Sequence, residues 1–183
     1  LLPAPVFRFT ADIQSRRRLG LTATLVREDG MEGEVFSLIG PKRYDVPWKE
    51  IEQQGYIAPA DCVEVRINLT DEERMHYATA EQEDRYRFCS TTQTKRNVAI
   101  ELAQKHQDEQ VLIIGQYIDQ LDALGEELGV PVIKGETPIK EREELFNLYR
   151  SGDIKCLVVS KVANFSIDLP DATIAIQVSG TFG

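Results

Sequence analysis

Hydrophobic residues occur in four short runs between residues 111 and 180. Residues 111–115 (VLIIG) are continuously apolar, and further runs occupy residues 130–135, 154–161 and 172–180. Apolar runs of this length, bounded by glycine or charged residues, are typical of buried strands. The pattern therefore predicts four strands in this part of the chain.

Two helices are predicted between these strands. After the first run, Gly129 follows a stripe of apolar residues at helical spacing, Ile118, Leu121, Leu124 and Leu128. After the second run, Thr137 is the expected N-cap, Pro138 the first helical residue and Gly152 the residue just past the end. Strands that are apolar on both sides and alternate with helices predict an α/β fold, a parallel sheet covered by helices on both faces.

The N-terminal part of the chain is less regular. Residues 10–17 predict a short polar helix and residues 19–25 a strand. Residues 62–69 (CVEVRINL) alternate between apolar and polar side chains, which predicts a strand with one solvated face. The sequence TDEE at residues 70–73 is a capping-box signature, so a very acidic helix is expected to follow. Another helix is predicted for residues 92–106.

Proline and glycine are concentrated in residues 41–60. Such residues interrupt regular structure, so residues 41–60 are predicted to form a connecting segment, with a short helix near residues 48–54.

Composition and charge narrow the function classes. The chain has 42% hydrophobic and 28% charged residues and a net charge of −9, which argues against a protein that coats nucleic acid non-specifically. The dense basic cluster at residues 16–18 has a solvated helix end as its simpler explanation. No apolar run is long enough to cross a membrane, so no membrane partner is expected.

The cysteines do not predict a metal site. Cys62, Cys89 and Cys156 lie far apart and none belongs to a C-x-x-C pair, and the chain has only two histidines. This pattern is typical of reduced, mostly buried thiols in a cytosolic protein, so a cytoplasmic location is expected.

Ligands of parallel α/β sheets bind beyond the carboxyl ends of the strands, so the polar residues there are candidate site residues. After the second strand, the backbone N–H groups of residues 135–137 could hold a phosphate, with the Thr137 hydroxyl as a donor and Arg142 one turn inward. The alternative is a well-capped helix that binds nothing.

The segment after the third strand, SKVANFSIDLPDA (160–172), is also polar. It could contact a backbone phosphate at Ser160 and a sugar or nucleotide at Asp168, and the alternative is an ordinary exit from a strand. The chain contains neither G-x-x-x-x-G-K-[ST] nor G-x-G-x-x-G. No phosphate-binding loop of either kind can therefore be recognised.

Five ordered segments resemble the later motifs of the XPB family of superfamily-two DNA helicases and translocases, and they look closest to its bacterial members. They are RLGLTATLVREDG (18–30), VLIIGQYIDQLDAL (111–124), GVPVIKGET (129–137), LVVSKVANFSIDLPDA (157–172) and IQVSGTFG (176–183). The resemblance implies a RecA-like fold, with the end of the first helicase domain in residues 1–40 and most of the second in residues 61–183.

The resemblance also implies roles for individual residues. A motif III that couples the ATP site to nucleic acid would consist of Thr22, Ala23 and Thr24. An element associated with DNA opening would consist of Arg27, Glu28 and Asp29, for which a solvated turn before Gly30 is the alternative. The residues implied to contact DNA are Gly135, Thr137, Arg142, Ser160 and Lys161. Those implied to contact the nucleotide are Asn164, Ser166 and Asp168.

In this family, a P-loop and a D-E-x-H box would precede Leu1 and a Q-x-x-R-x-x-R motif would follow Gly183. We therefore expect a piece of an ATP-dependent 3′–5′ DNA helicase of repair, inactive alone, that uses ATP and Mg²⁺ in the full-length protein. Its expected partners are DNA and a nuclease or repair complex.

Two alternatives remain open. One is a restriction-type translocase that moves on duplex DNA without separating its strands. The other is a non-enzymatic α/β module that binds a protein through its acidic helices (70–87 and 140–150).

Overall fold

The computed structural model of the chain describes residues 9–22, 32–161 and 172–180. These residues form two compact units, one comprising the described residues up to Glu64 and the other those from Val65 onward. The assignment of residues 1–40, 41–60 and 61–183 to a first domain, a connection and a second domain stays a prediction.

The first unit contains a 3₁₀ turn and two helices. The turn is Phe9–Asp12, helix α1 is Glu32–Ile39 and helix α2 is Trp48–Gln53. Helix α2 confirms the helix predicted near residues 48–54, whereas the helix predicted for residues 10–17 shrinks to the 3₁₀ turn.

The strand predicted for residues 19–25 is wrong over its described part. Residues 19–22 form no strand, and Leu19 and Leu21 are 82% and 87% exposed. A strand needs a neighbouring strand for its backbone N–H and C=O groups, and none pairs with these residues in the part of the chain that the structure describes.

Arg18, in the basic cluster explained above as a solvated helix end, makes specific hydrogen bonds. Its Nη1 donates to the carbonyl of Leu38 at 2.7 Å and its Nη2 to the carbonyl of Ile13 at 3.4 Å. Leu38 lies in the last turn of α1, where carbonyls lack an intrahelical partner, so the guanidinium caps that helix.

The strand predicted for residues 62–69 is wrong as well. This segment is described throughout and forms no strand, and Val63 and Val65 are 82% and 51% exposed. Its alternating pattern fits one face of a sheet, but without a paired neighbour that pattern alone does not stabilise a strand.

The second unit opens with three helices: α3 (Asp71–Thr79), α4 (Gln82–Thr91) and α5 (Gln93–Lys105). The capping box before α3 is confirmed, because the Thr70 hydroxyl accepts from the Glu73 N–H at 3.2 Å and the Thr70 N–H donates to the Glu73 carboxylate at 2.9 Å. The bond from the Thr70 N–H lowers the pKa of Glu73 below its ordinary value.

A parallel four-stranded sheet follows. Its strands are β1 (Val111–Gly115), β2 (Val132–Ile133), β3 (Cys156–Ser160) and β4 (Ile174–Gln177), in the spatial order β2-β3-β1-β4. Helix α6 (Ile118–Leu128) connects β1 to β2, and helix α7 (Ile139–Ser151) connects β2 to β3.

Side chains of the sheet alternate between two apolar clusters, one on each face. The cluster on the first face joins the sheet to α5 and α6 through Ala99, Ala103, Val111, Ile113, Leu121, Leu124, Val158 and Val178. The cluster on the second face joins it to α7 through Leu112, Ile133, Phe146, Tyr149, Leu157 and Val159. The α/β fold with a parallel sheet covered on both faces is therefore confirmed.

No described helix is both long and apolar enough to span a membrane. Over the same described ranges, no three histidine, cysteine, aspartate or glutamate side chains lie close enough together to hold a metal ion.

Candidate nucleic-acid interface

The carboxyl ends of the four parallel strands lie along one edge of the sheet. Because β2 neighbours β3, the turn of residues 134–137 and the exit at Ser160 lie side by side at this carboxyl edge. Gly115, the last residue of β1, is in register with Ser160. The fold thus brings together on one edge two of the segments for which the family resemblance implies contact with DNA.

The turn after β2 is closed by its own polar groups. The Lys134 N–H donates to the Thr137 hydroxyl at 2.8 Å, and the Thr137 N–H donates to the Lys134 carbonyl at 3.1 Å. The Thr137 oxygen thus acts as an acceptor within the turn, which leaves its O–H hydrogen free to donate outward.

The prediction that Thr137 is the N-cap of the following helix is wrong by one residue. Pro138 is the N-cap, because its ψ of 142° is extended and not helical, and it makes no side-chain capping bond. Helix α7 therefore begins at Ile139, and the Thr137 hydroxyl caps the turn instead of the helix.

Arg142 points back at this turn. Its Nη2 lies 3.3 Å from each of three carbonyl oxygens, those of Lys134, Gly135 and Thr137. Its Nε is buried and has no partner among the described residues. The guanidinium therefore braces the turn, and any contact with a phosphate would add to that role.

Lys134 does not offer an unpaired positive charge. Its Nζ lies 2.9 Å from the Asp122 carboxylate and 3.9 Å from that of Glu136. The hydrogen bond with Asp122 is the main reason that the pKa of Lys134 is raised. The turn thus presents mainly dipoles and hydroxyl groups to a ligand.

At the exit of β3, in contrast to this turn, a polar side chain is left without a hydrogen bond among the described residues. Ser160 is only 1% exposed, and its Oγ has no hydrogen-bond partner in the described parts of the chain. A buried hydroxyl without a partner costs about 1–3 kcal/mol. Lys161 follows in a half-buried position and has a bonding partner.

A polar network at the exits of β1 and β4 was not predicted as a site. The Gln116 N–H donates to Ser179 Oγ at 2.8 Å, Ser179 Oγ donates to Gln120 Oε1 at 2.9 Å, and Gln120 Nε2 donates to the Ser90 carbonyl at 2.5 Å. The sequence feature that could have indicated this network is Gln120, a polar residue next to the apolar stripe of a predicted helix.

Of the residues assigned to motif III, only Thr22 is described. It is exposed, lies in the segment where the predicted strand is not formed, and has an interaction partner. The remaining predicted site residues lie outside the described residues: Ala23, Thr24, Arg27, Glu28, Asp29, Asn164, Ser166 and Asp168.

Comparison with known proteins gives a consistent picture. The model of the ERCC3/RAD25/XPB C-terminal helicase family matches residues 51–183. The DNA 3′-5′ helicase XPB of Mycobacterium tuberculosis is 70% identical over all of this chain and 33% of its own length. The protein of the same name from Kineococcus radiotolerans is 69% identical over the same shares.

A eukaryotic relative is more distant. The general transcription and DNA repair factor IIH helicase/translocase subunit XPB/SSL2 of Saccharomyces cerevisiae is 35% identical over all of this chain and 22% of its own length. The chain thus spans about a third of the length of the bacterial relatives and less of the yeast one.

Proposed function

Because the chain belongs to the ERCC3/RAD25/XPB helicase family, we propose that it is part of an ATP-dependent 3′–5′ DNA helicase that acts in DNA repair. In the parent protein, ATP hydrolysis would be coupled to movement on DNA or to its unwinding. The single observation that carries the DNA-binding role of this chain is the side-by-side position of the 134–137 turn and Ser160 at the carboxyl edge.

The chemistry of this edge suits the DNA backbone rather than the bases. Ser160 and Thr137 can each donate an O–H to a phosphate oxygen, and such contacts hold a strand without reading its sequence. The net charge of −9 is compatible with this, because a few placed donors suffice where a broad basic surface is absent.

ATP and Mg²⁺ are proposed to act in the full-length protein, where Mg²⁺-bound ATP supplies the phosphoryl group that is hydrolysed. The sequence contains no P-loop, and the described residues contain no cluster of metal ligands. Roles for Asn164, Ser166 and Asp168 at the nucleotide, and for Thr22, Ala23, Thr24, Arg27, Glu28 and Asp29 in coupling and DNA opening, are further parts of the proposal.

The proposal extends to the setting of the parent protein. We propose a cytoplasmic location and a nuclease or repair complex as a partner beside DNA. The yeast relative is named as a subunit of a transcription and DNA repair factor, which supports the proposal that the parent protein acts within a protein complex.

Replacing Thr137 tests the DNA-binding role. In the full-length parent protein, Thr137→Ala should lower DNA-stimulated ATP turnover by about tenfold, the effect of losing one hydrogen bond to a charged group. Thr79→Ala is a matched control, because the Thr79 hydroxyl is exposed and bonds only carbonyls of its own helix. Equal DNA stimulation in Thr137→Ala and Thr79→Ala would rule out the proposed contact.

Movement on duplex DNA without strand separation is the second candidate, favoured by the word translocase in the yeast relative's name. Two assays distinguish these activities. One measures displacement of a base-paired strand, and the other measures displacement of a third strand bound to the duplex as a triplex. A translocase displaces only the third strand, whereas a helicase also displaces the paired one.

A further inference from the structure

Gln120 is a buried polar residue that the proposed DNA contacts do not use. It lies in α6, is only 5% exposed, and is flanked by the core residues Leu121 and Leu124. A buried amide in such a place is unfavourable unless its donor and acceptor are both bonded. In Gln120 both groups are bonded: Nε2 to Ser90 in α4 and Oε1 to Ser179 after β4.

The direction of each bond in this network is determined. The Ser90 carbonyl can only accept, so the Gln120 amide must turn its Nε2 toward Ser90 and its Oε1 toward Ser179. Ser179 Oγ then donates its hydrogen to Gln120 and accepts the Gln116 N–H on its other side. Ser90 lies in the last turn of α4, where a carbonyl has no intrahelical donor, so Gln120 satisfies a group that the helix leaves open.

The network joins two strand exits to one helix. Gln116 is the first residue after β1, and Ser179 lies two residues after the end of β4. A second bond supports the same link, because the Tyr86 hydroxyl, one turn before Ser90 in α4, donates to the Gly180 carbonyl. The space is tight as well, since a Cβ at Gly115 would lie 3.0 Å from Ser179 Oγ.

We propose that Gln120 is a positioning residue that fixes the strand exits at Gln116 and Ser179 to helix α4. This inference rests on the proposed function, because it assigns these exits a part in the DNA-dependent step. A ligand that displaces either exit must also act on α4 through Gln120, so the network couples events at the carboxyl edge to α4.

The test compares two variants of the full-length parent protein. Gln120→Leu removes both hydrogen bonds of the amide and keeps a side chain of similar volume. Ser179→Ala removes the bonds of Ser179 Oγ to the Gln116 N–H and to Gln120 Oε1. Each should lower the ratio of DNA-stimulated to basal ATP turnover by about tenfold, and the double variant should lose little more, since both act through one network. Gln104→Leu, an exposed glutamine in α5, should leave both rates unchanged.

Hydrogen exchange supplies a second readout that is independent of activity. In both variants the amide hydrogen of Gln116 should exchange faster, while the amides of the β1 core, such as that of Ile113, keep their protection. Unchanged Gln116 exchange, or a fall of basal and DNA-stimulated rates in equal proportion, would overturn the positioning role. If the unaltered parent protein showed no DNA stimulation, the proposed function would fail while the exchange result still decided the role of Gln120.

Discussion

The turn after β2 and the exit of β3 lie next to each other but use their polar groups in opposite ways. In the turn, the Thr137 hydroxyl and the Arg142 guanidinium bond the chain itself. At the exit of β3, Ser160 Oγ is buried without a partner among the described residues. The difference indicates that the Thr137 oxygen and the Arg142 guanidinium also hold the shape of the turn, whereas the Ser160 hydroxyl bonds no described part of the chain.

Replacing Arg142 should have the largest effect on stability. Arg142→Ala removes a charged donor from three carbonyls of the turn, so the free energy of unfolding should fall by about 2 kcal/mol. Denaturant unfolding of the chain measures this. Arg150→Ala, at an exposed position of the same helix, should change the free energy by less than about 0.5 kcal/mol. Equal effects of the two replacements would show that Arg142 does not brace the turn.

Replacing Asp122 should have a smaller effect. Asp122→Asn removes the carboxylate that raises the pKa of Lys134, so the stabilisation from this pair is lost. Because the folded-state pKa is raised, that stabilisation is complete below the ordinary lysine pKa and disappears as the pH rises through the raised value. Both groups lie near the surface, so the difference from the unaltered chain should shrink in about 1 M salt. A difference that salt does not change would contradict a surface ion pair.

The sequence predicts the sheet well but predicts other elements poorly, for a physical reason. Residues 111–115 are apolar on both sides, so their burial depends little on which strands neighbour them. Residues 19–22 and 62–69 carry weaker patterns that need a paired neighbour, and in the described structure they form no strand. Local propensity does not supply that neighbour.

The candidate site was predicted in its location but not in its hydrogen bonds. Parallel strands place their exits on one edge, so Thr137 and Ser160 could be placed there from sequence. Whether Thr137 caps a helix or closes a turn depends on the backbone of Pro138, which the sequence leaves open. Gln120 was missed because its partners, Ser90 and Ser179, lie 30 and 59 residues away in sequence.

The most direct test of the account is the replacement of Ser160 in the full-length parent protein. Ser160→Ala removes a hydroxyl that bonds nothing in the described structure, so stability should change by less than about 0.5 kcal/mol or rise. If that hydroxyl donates a hydrogen bond to the DNA backbone, DNA-stimulated ATP turnover should nevertheless fall by about tenfold. Unchanged DNA stimulation in a fully folded Ser160→Ala protein would contradict the account.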